Sequence, residues 1–375
     1  MADTFPSGYV DQKTGRIESF QSAFSKLTDE GVPNLGHWAL QAGKLAVLAP
    51  FIGGMAVALP VAAGLYFGGR YVMQKSLNAL HDRSEREGGP FVEYDFTQEN
   101  DRAMFRKIHG KSHPGFADDL LRMVKMSELG EVPKVRVMMP GQGTEDFVCS
   151  AETRPDGTAP IVTLGRGAMA TLDPVEMRAV VGHELTHVKL GHIKSGTEWL
   201  SRGTLSMVLN TALVGVALFA GAPVLPVLAF VAITNVVGKC LRSVQSRRHE
   251  EMCDKGSALL TGETKALTSA LKKIHKGLLY RHQQEVDDKY LRKGEIPPKV
   301  EEAGGIQQFL FGTHPTLARR ENLLREFEEN HKSYCEKKRA EFRTVFNVAA
   351  APASKPQPVA VVRPKAATPP KLKAA

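Results

Sequence analysis

The chain has 375 residues, 42% of them hydrophobic, and a formal net charge of +9. That length accommodates one sizeable domain with extensions. The four cysteines, Cys149, Cys240, Cys253 and Cys335, show no paired spacing, which argues against a disulfide framework or a cysteine metal cluster and for a reducing compartment.

Residues 1–44 are polar and mixed in charge. Asp3, Asp11, Glu18, Asp29 and Glu30 argue against an organelle transit peptide, and one short helix is expected around 20–27. Residues 45–69 carry no charge, and these 25 apolar and small residues are enough to cross a hydrocarbon layer of about 30 Å. Pro50 and Pro60 would kink a soluble helix but are tolerated in a spanning one. A buried soluble helix is the competing reading. Arg70, Lys75, Arg83 and Arg86 follow the stretch, against Lys26 and Lys44 before it, so the positive-inside bias puts the chain after it in the cytoplasm.

Residues 70–203 form the first part of the expected catalytic domain. Helical patterning covers 101–109 and 116–127. Val135-Arg136-Val137-Met138-Met139 alternates like a strand, and Phe147-Val148-Cys149-Ser150 and Ile161-Val162-Thr163-Leu164 read as two more. Such a sheet either only packs a helix or lends its edge strand to an extended substrate chain.

The next helix carries the chemistry. Asp173 reads as its N-cap, Pro174 as its first residue and Glu176 as the partner in a capping box. Met177, Val180, Val181, Leu185 and Val188 give an apolar stripe, and Gly191 is a stop signal. His183 and His187, four apart in His183-Glu184-Leu185-Thr186-His187, share a helix face. Both imidazoles can reach one metal at about 2.0–2.1 Å. Glu184 lies to one side, where it acts on a water without being a ligand. This is the arrangement of a zinc metalloprotease, with one Zn²⁺ per chain. The competing reading is two core histidines with a chance glutamate between them.

Residues 204–238 form a second uncharged stretch, 35 residues long, broken by Gly221-Ala222-Pro223 and Pro226. Arg202 precedes it, and Lys239, Arg242, Arg247 and Arg248 follow, so both ends read as cytoplasmic and the stretch as a membrane hairpin, spanning or re-entrant. A catalytic zinc needs a third protein ligand and an open position. His192 falls one position short of the three-histidine motif and reads as a helix-end residue. Glu198 has no supporting signal. Glu250 is the better candidate: it shares a helix face with Asp254, so one acid can bind metal while the other steadies a ligand histidine. A hairpin returns Glu250 to the side of His187, whereas a single span would separate them.

These residues resemble the HtpX-type integral-membrane zinc metalloproteases, relatives of the CAAX prenyl proteases. The resemblance rests on the His-Glu-x-x-His helix with Gly191-His192 after it and on Ser246-Arg247-Arg248 followed by Glu250 and Asp254. Thr313-His314-Pro315 with Arg320 completes it, and it covers roughly residues 132–324. It implies that His183, His187 and Glu250 hold zinc and that Glu184 is the base. It also implies that His314 and Arg320 line the substrate cleft, His314 stabilising the oxyanion. Against that, His314-Pro315 would cap the following helix and Arg320 would make a structural charge pair. The implied location is the bacterial inner membrane, with the catalytic domain facing the cytoplasm. The chain departs from the family where Asp146-Phe147-Val148 replaces an Asn-Ala-Phe-like segment, and where one N-terminal apolar stretch replaces two. Cys253 stands in place of a small residue, which makes a thiolate ligand conceivable.

Residues 239–346 complete the expected domain with an amphipathic helix over 258–279, a polar insertion over 280–308 that is a loop or lid, and one charged helix over 321–346. The tail, 347–375, is expected to be disordered. Lys355, Arg363, Lys365, Lys371 and Lys373 place more than half of the net positive excess there. Each contributes about 1 kcal/mol of attraction to an anionic membrane surface, while nucleic acid is not expected without interleaved aromatics. The expected fold is α+β, mainly helical: a zincin-like catalytic domain with a small sheet, plus transmembrane helices. The expected function is that of a membrane-anchored zinc endopeptidase cutting membrane or misfolded proteins, its partners being protein or peptide substrates and membrane lipids. The alternatives are a scaffold with a structural zinc site and a processing protease for lipidated C-termini.

Overall fold

A computed structural model describes residues 7–11, 16–19, 71, 75–76, 91–138, 147–153, 160–192, 210, 214, 224–292, 295–300 and 314–343. The apolar stretch 45–69, the short helix expected near 20–27, most of 204–223 and the tail 347–375 lie outside the described residues. Near the N-terminus, β1 (Ser7–Asp11) and β2 (Arg16–Ser19) pair as an antiparallel hairpin.

The remaining elements build a mainly helical α+β domain. After β3 (Phe91–Tyr94) come α1 (Glu99–His109), α2 (Phe116–Ser127), β4 (Lys134–Met138), β5 (Cys149–Thr153) and β6 (Pro160–Leu164). The four strands form one mixed sheet in the order β3-β4-β6-β5. Central β4 and β6 run parallel, with Val135 opposite Val162, and their Val135, Val137, Ile161, Val162 and Leu164 are buried. The continuous apolar run of β6 is that of a strand covered on both faces, whereas β4 alternates and carries the buried Arg136 between its valines. β5 lies at the edge, antiparallel to β6, with Cys149 opposite Leu164. It starts two residues later than its apolar run predicts.

After the short helix α3 (Arg166–Thr171) comes α4 (Pro174–Lys189). The Asp173 side chain accepts from the backbone N–H groups of Val175 and Glu176, both at 2.8 Å, and Glu176 accepts in return from the Asp173 N–H at 2.9 Å. The helix ends where Gly191 takes φ +63°, a conformation that costs other residues more than glycine. On α2, Asp119 pairs with Arg178 of α4 at 3.0 Å.

The structure places α5 (Val224–Thr261) across α4. It begins just after Gly221-Ala222-Pro223, with Pro226 in its first turn, and passes through Gly238 without a break into the stretch that carries Glu250. Small residues let the two helices approach closely. A Cβ added at Gly256 would lie 2.3 Å from Thr186 Cγ2, and one at Gly182 would lie 3.1 Å from Thr261 Cγ2 and 3.3 Å from Ser257 Oγ. Ser257 Oγ donates to the Ala179 carbonyl at 2.6 Å, which satisfies its buried hydroxyl and fixes the crossing.

Three expectations need correction. The helix expected over 258–279 is interrupted at Gly262, which takes φ +71°. α6 (Thr264–Leu291) then starts anew and runs well into the expected polar loop. Its polar end is held by Gln283, which donates to Asp287 at 2.7 Å and to the Pro298 carbonyl at 3.1 Å and accepts from the Val300 N–H at 2.6 Å. Segment 295–300 is thereby folded back onto α6. Finally, the single charged helix expected over 321–346 is two helices, α7 (Leu317–Asn330) and α8 (Lys332–Arg343), parted at His331. Among the described residues no helix is long and apolar enough to cross a membrane.

Candidate metal centre

The crossing of α4 and α5 brings together His183, His187 and Glu250. The two Nε2 atoms lie 3.2 Å apart. Glu250 Oε2 is 3.5 Å from His183 Nε2, and its Oε1 is 3.5 Å from His187 Nε2. All three ligand atoms fall within 4.8 Å of one another. Two imidazoles and a carboxylate converging on one point suit a divalent transition metal with an open coordination position.

The donors are held from behind. His183 Nδ1 faces Asp254 Oδ1 at 3.0 Å, which leaves Nε2 turned toward the convergence point. Asp254, fully buried, is gripped by Arg320 from α7 through Nε to Oδ2 at 2.7 Å and Nη2 to Oδ1 at 2.6 Å. Arg320 Nη1 also stands 3.4 Å from Glu250 Oε2. His314 Nδ1 lies 3.2 Å from the same oxygen, with its side chain 66% exposed at the cavity mouth. Thus Asp254 and Arg320 form one buried bidentate ion pair, the geometry in which guanidinium and carboxylate bind most strongly.

Without a metal these groups shift one another's ionisation. Burial opposes charge on His183, yet the hydrogen-bonding and charge of Asp254 and Glu250 outweigh it and lift the imidazole to about 10. Burial likewise opposes charge on Glu250 and Asp254, but the histidines hold Glu250 well below the usual carboxylate range, and Arg320 depresses Asp254. Glu184 goes the other way: burial raises it, and the neighbouring imidazoles offset that only in part. A carboxyl shifted upward toward neutral pH suits proton transfer in both directions.

Glu184, His183, His187 and Glu250 open into a cavity of about 770 Å³. β5 supplies one wall with Cys149, Ser150 and Ala151, and α6 supplies another with Leu267, Leu271, Ile274 and Leu278. α6 is tied to α4 through Glu176, which accepts from Ser269 Oγ and from Lys273 Nζ, both at 2.6 Å. The α6 wall was missed in the sequence, although its leucines and isoleucine recur every three or four residues as a helix face does. His192 also lines the cavity, stacked flat on His249 with ring centroids 3.8 Å apart.

Comparison with known proteins agrees with this geometry. Residues 155–328 match peptidase family M48. The chain is 31% identical over 255 residues to a protease HtpX homolog of Moorella thermoacetica, covering 64% of this chain and 81% of that protein. It is 29% identical over 215 residues to one from Burkholderia multivorans, covering 56% and 74% respectively. It is 26% identical over 223 residues to one from Thermococcus kodakarensis, covering 57% and 74%. With His183, His187 and Glu250 lying inside the matched region, the chain belongs to peptidase family M48 as an HtpX-type metalloprotease.

Proposed function

We propose that this metalloprotease is a membrane-anchored, zinc-dependent endopeptidase that cuts peptide bonds in membrane or misfolded proteins. The observation that carries the reading is the convergence of His183, His187 and Glu250 beside the buried Glu184 in one substrate-sized cavity. His183, His187 and Glu250 are the zinc ligands in this reading, and Asp254, backed by Arg320, orients His183. When bound, zinc supplies the Lewis acidity that activates a water and polarises the scissile carbonyl. Glu184 takes the proton from the attacking water and hands it to the departing amine. His314 is the donor we assign to the developing oxyanion, since its ring reaches into the site from the mouth. The cavity-facing edge of β5 offers backbone groups to an extended substrate chain, giving affinity with little demand on sequence.

Membrane attachment is supported by the uncharged stretches 45–69 and 204–238 and by the apolar first half of α5. There Leu225, Leu228, Ile233, Val236 and Val237 are exposed, an arrangement that water disfavours and a lipid or protein surface relieves. Because α5 carries this face and Glu250 on one helix, the metal centre would lie close to the bilayer, on the cytoplasmic side of the plasma membrane. Membrane proteins and their exposed loops would be the accessible substrates, which suits quality control.

The test uses the full chain purified in chelator and then given zinc. Casein cleavage should begin on zinc addition, and Glu184→Gln should keep its zinc while losing activity by about 10²–10⁴-fold. A zinc-loaded Glu184→Gln protein that cuts casein at the wild-type rate would defeat the reading.

A further inference from the structure

Beside the catalytic trio lies a second set of metal-binding side chains with a different chemical character. Cys253, one turn after Glu250 on α5, is fully buried, and its Sγ lies 3.4 Å from His192 Nδ1. His192 is oriented by its flat stacking on His249, with 6° between the ring planes. Its ring centroid is also 5.5 Å from that of His187. Ligand atoms of His187, His192 and Cys253 all fall within 4.8 Å of one another. Two imidazoles and a thiolate form a soft set that favours zinc and other thiophilic ions.

Among the described residues, the polar contact of the Cys253 thiol is with His192. Burial and the neighbouring carboxylates push its thiol well above the usual range, so it is a poor nucleophile on its own. A metal ion changes that balance, because a coordinated thiol releases its proton to solvent.

We propose that His187, His192 and Cys253 form a second, lower-affinity site for a thiophilic divalent cation, and that filling it inhibits the protease by drawing on the imidazole that the catalytic trio also uses. The proposal rests on the assignment of His183, His187 and Glu250 to the catalytic zinc. The first equivalent of zinc then activates, and excess zinc or cadmium suppresses. His187 connects the two sites, so metal availability would set activity in both directions.

The test is a Co²⁺ titration of the metal-free full chain in detergent, read by absorption, with excess-zinc inhibition of casein cleavage measured in parallel. A sulfur-to-cobalt charge-transfer band should appear only with the second equivalent and vanish in Cys253→Ser. Loss of even an outer-sphere partner costs about 10–100-fold in metal affinity. The zinc concentration giving half inhibition should therefore rise at least about tenfold in Cys253→Ser, with activity at one equivalent retained. His192→Ala should shift inhibition in the same direction, which guards against a folding defect in the serine variant. Absence of the band at any loading, with activity restored by one zinc, would overturn the second site and leave the trio standing. A band complete at the first equivalent would overturn both assignments, because the thiolate would then belong to the primary site.

Discussion

Arg320 clasps Asp254 with two guanidinium nitrogens at 2.7 and 2.6 Å, and both side chains are almost wholly buried. The pair lies directly behind His183 and joins α7, α5 and α4 at one point. Removing Arg320 leaves a carboxylate buried without its partner, which typically costs about 3–5 kcal/mol. Arg320→Ala should therefore melt well below the wild type even with zinc present. Arg320→Lys, with a point charge in place of a fork, should fall between. Unchanged melting of Arg320→Ala would contradict the pairing.

Asp254→Asn retains the shape of that side chain and removes its charge. The orienting partner of His183 is weakened, so zinc affinity should drop by about 10–100-fold. Competition with a chromophoric chelator measures this directly. Equal affinity in the two proteins would show that His183 needs no carboxylate behind it.

The close seam between α4 and α5 predicts a packing effect far from any charge. Gly256→Ala would press a methyl group onto Thr186, where the nearest atom lies at 2.3 Å. Overpacking of this kind costs about 1–3 kcal/mol, and because it spreads the two ligand-bearing helices it should also lower zinc affinity. Adding Thr186→Ala to Gly256→Ala makes room and should recover most of the loss. If the double variant is no better than the single, the seam is not the cause.

Stability of the metal-free protein should fall as the solution becomes alkaline. His183 is raised to about 10 when folded, so its contribution is complete below the unfolded histidine value of about 6.5 and fades as pH rises through 10. Asp254 and Glu250 are depressed, so theirs holds above about 4 and is lost as pH falls further. The metal-free chain should thus melt highest at about pH 5–6 and lower at about pH 9. Zinc requires neutral imidazoles, so the gain in melting temperature on zinc addition should grow from about pH 6 to about pH 8. A zinc-induced gain that shrinks over that interval would contradict the ligand assignment.

The active helix was legible from the sequence because its signals are local. Asp173, Pro174 and Glu176 begin α4, and Gly191 ends it, all by signals within the segment itself. The buried strands β4 and β6 were legible for the same reason, β4 from its alternation and β6 as a short apolar run. What escaped depends on contacts between remote elements. The break at Gly262 is made where α8 packs: a Cβ there would lie 2.5 Å from the Cys335 carbonyl oxygen. The polar end of α6 lacks an apolar stripe and is held by Gln283, whose partners include a backbone segment 15 residues on. Glu250 was legible as the third donor from the face it shares with Asp254, and the structure brings it opposite the histidines; only the contacts that set it there, Gly182, Gly256 and Ser257 meeting across α4 and α5, lie beyond any spacing within either helix. The role of Arg320 was open between cleft and ion pair, and the structure shows both positions at once: it lines the cavity and makes the bidentate contact with Asp254.

The most direct measurement is a crystal structure of the full chain loaded with one equivalent of zinc, with anomalous differences collected at the zinc edge. The account predicts one strong peak about 2.0–2.2 Å from Nε2 of His183, Nε2 of His187 and a carboxylate oxygen of Glu250. A peak bound by the Cys253 sulfur, or one that leaves Glu250 outside coordination range, would contradict it.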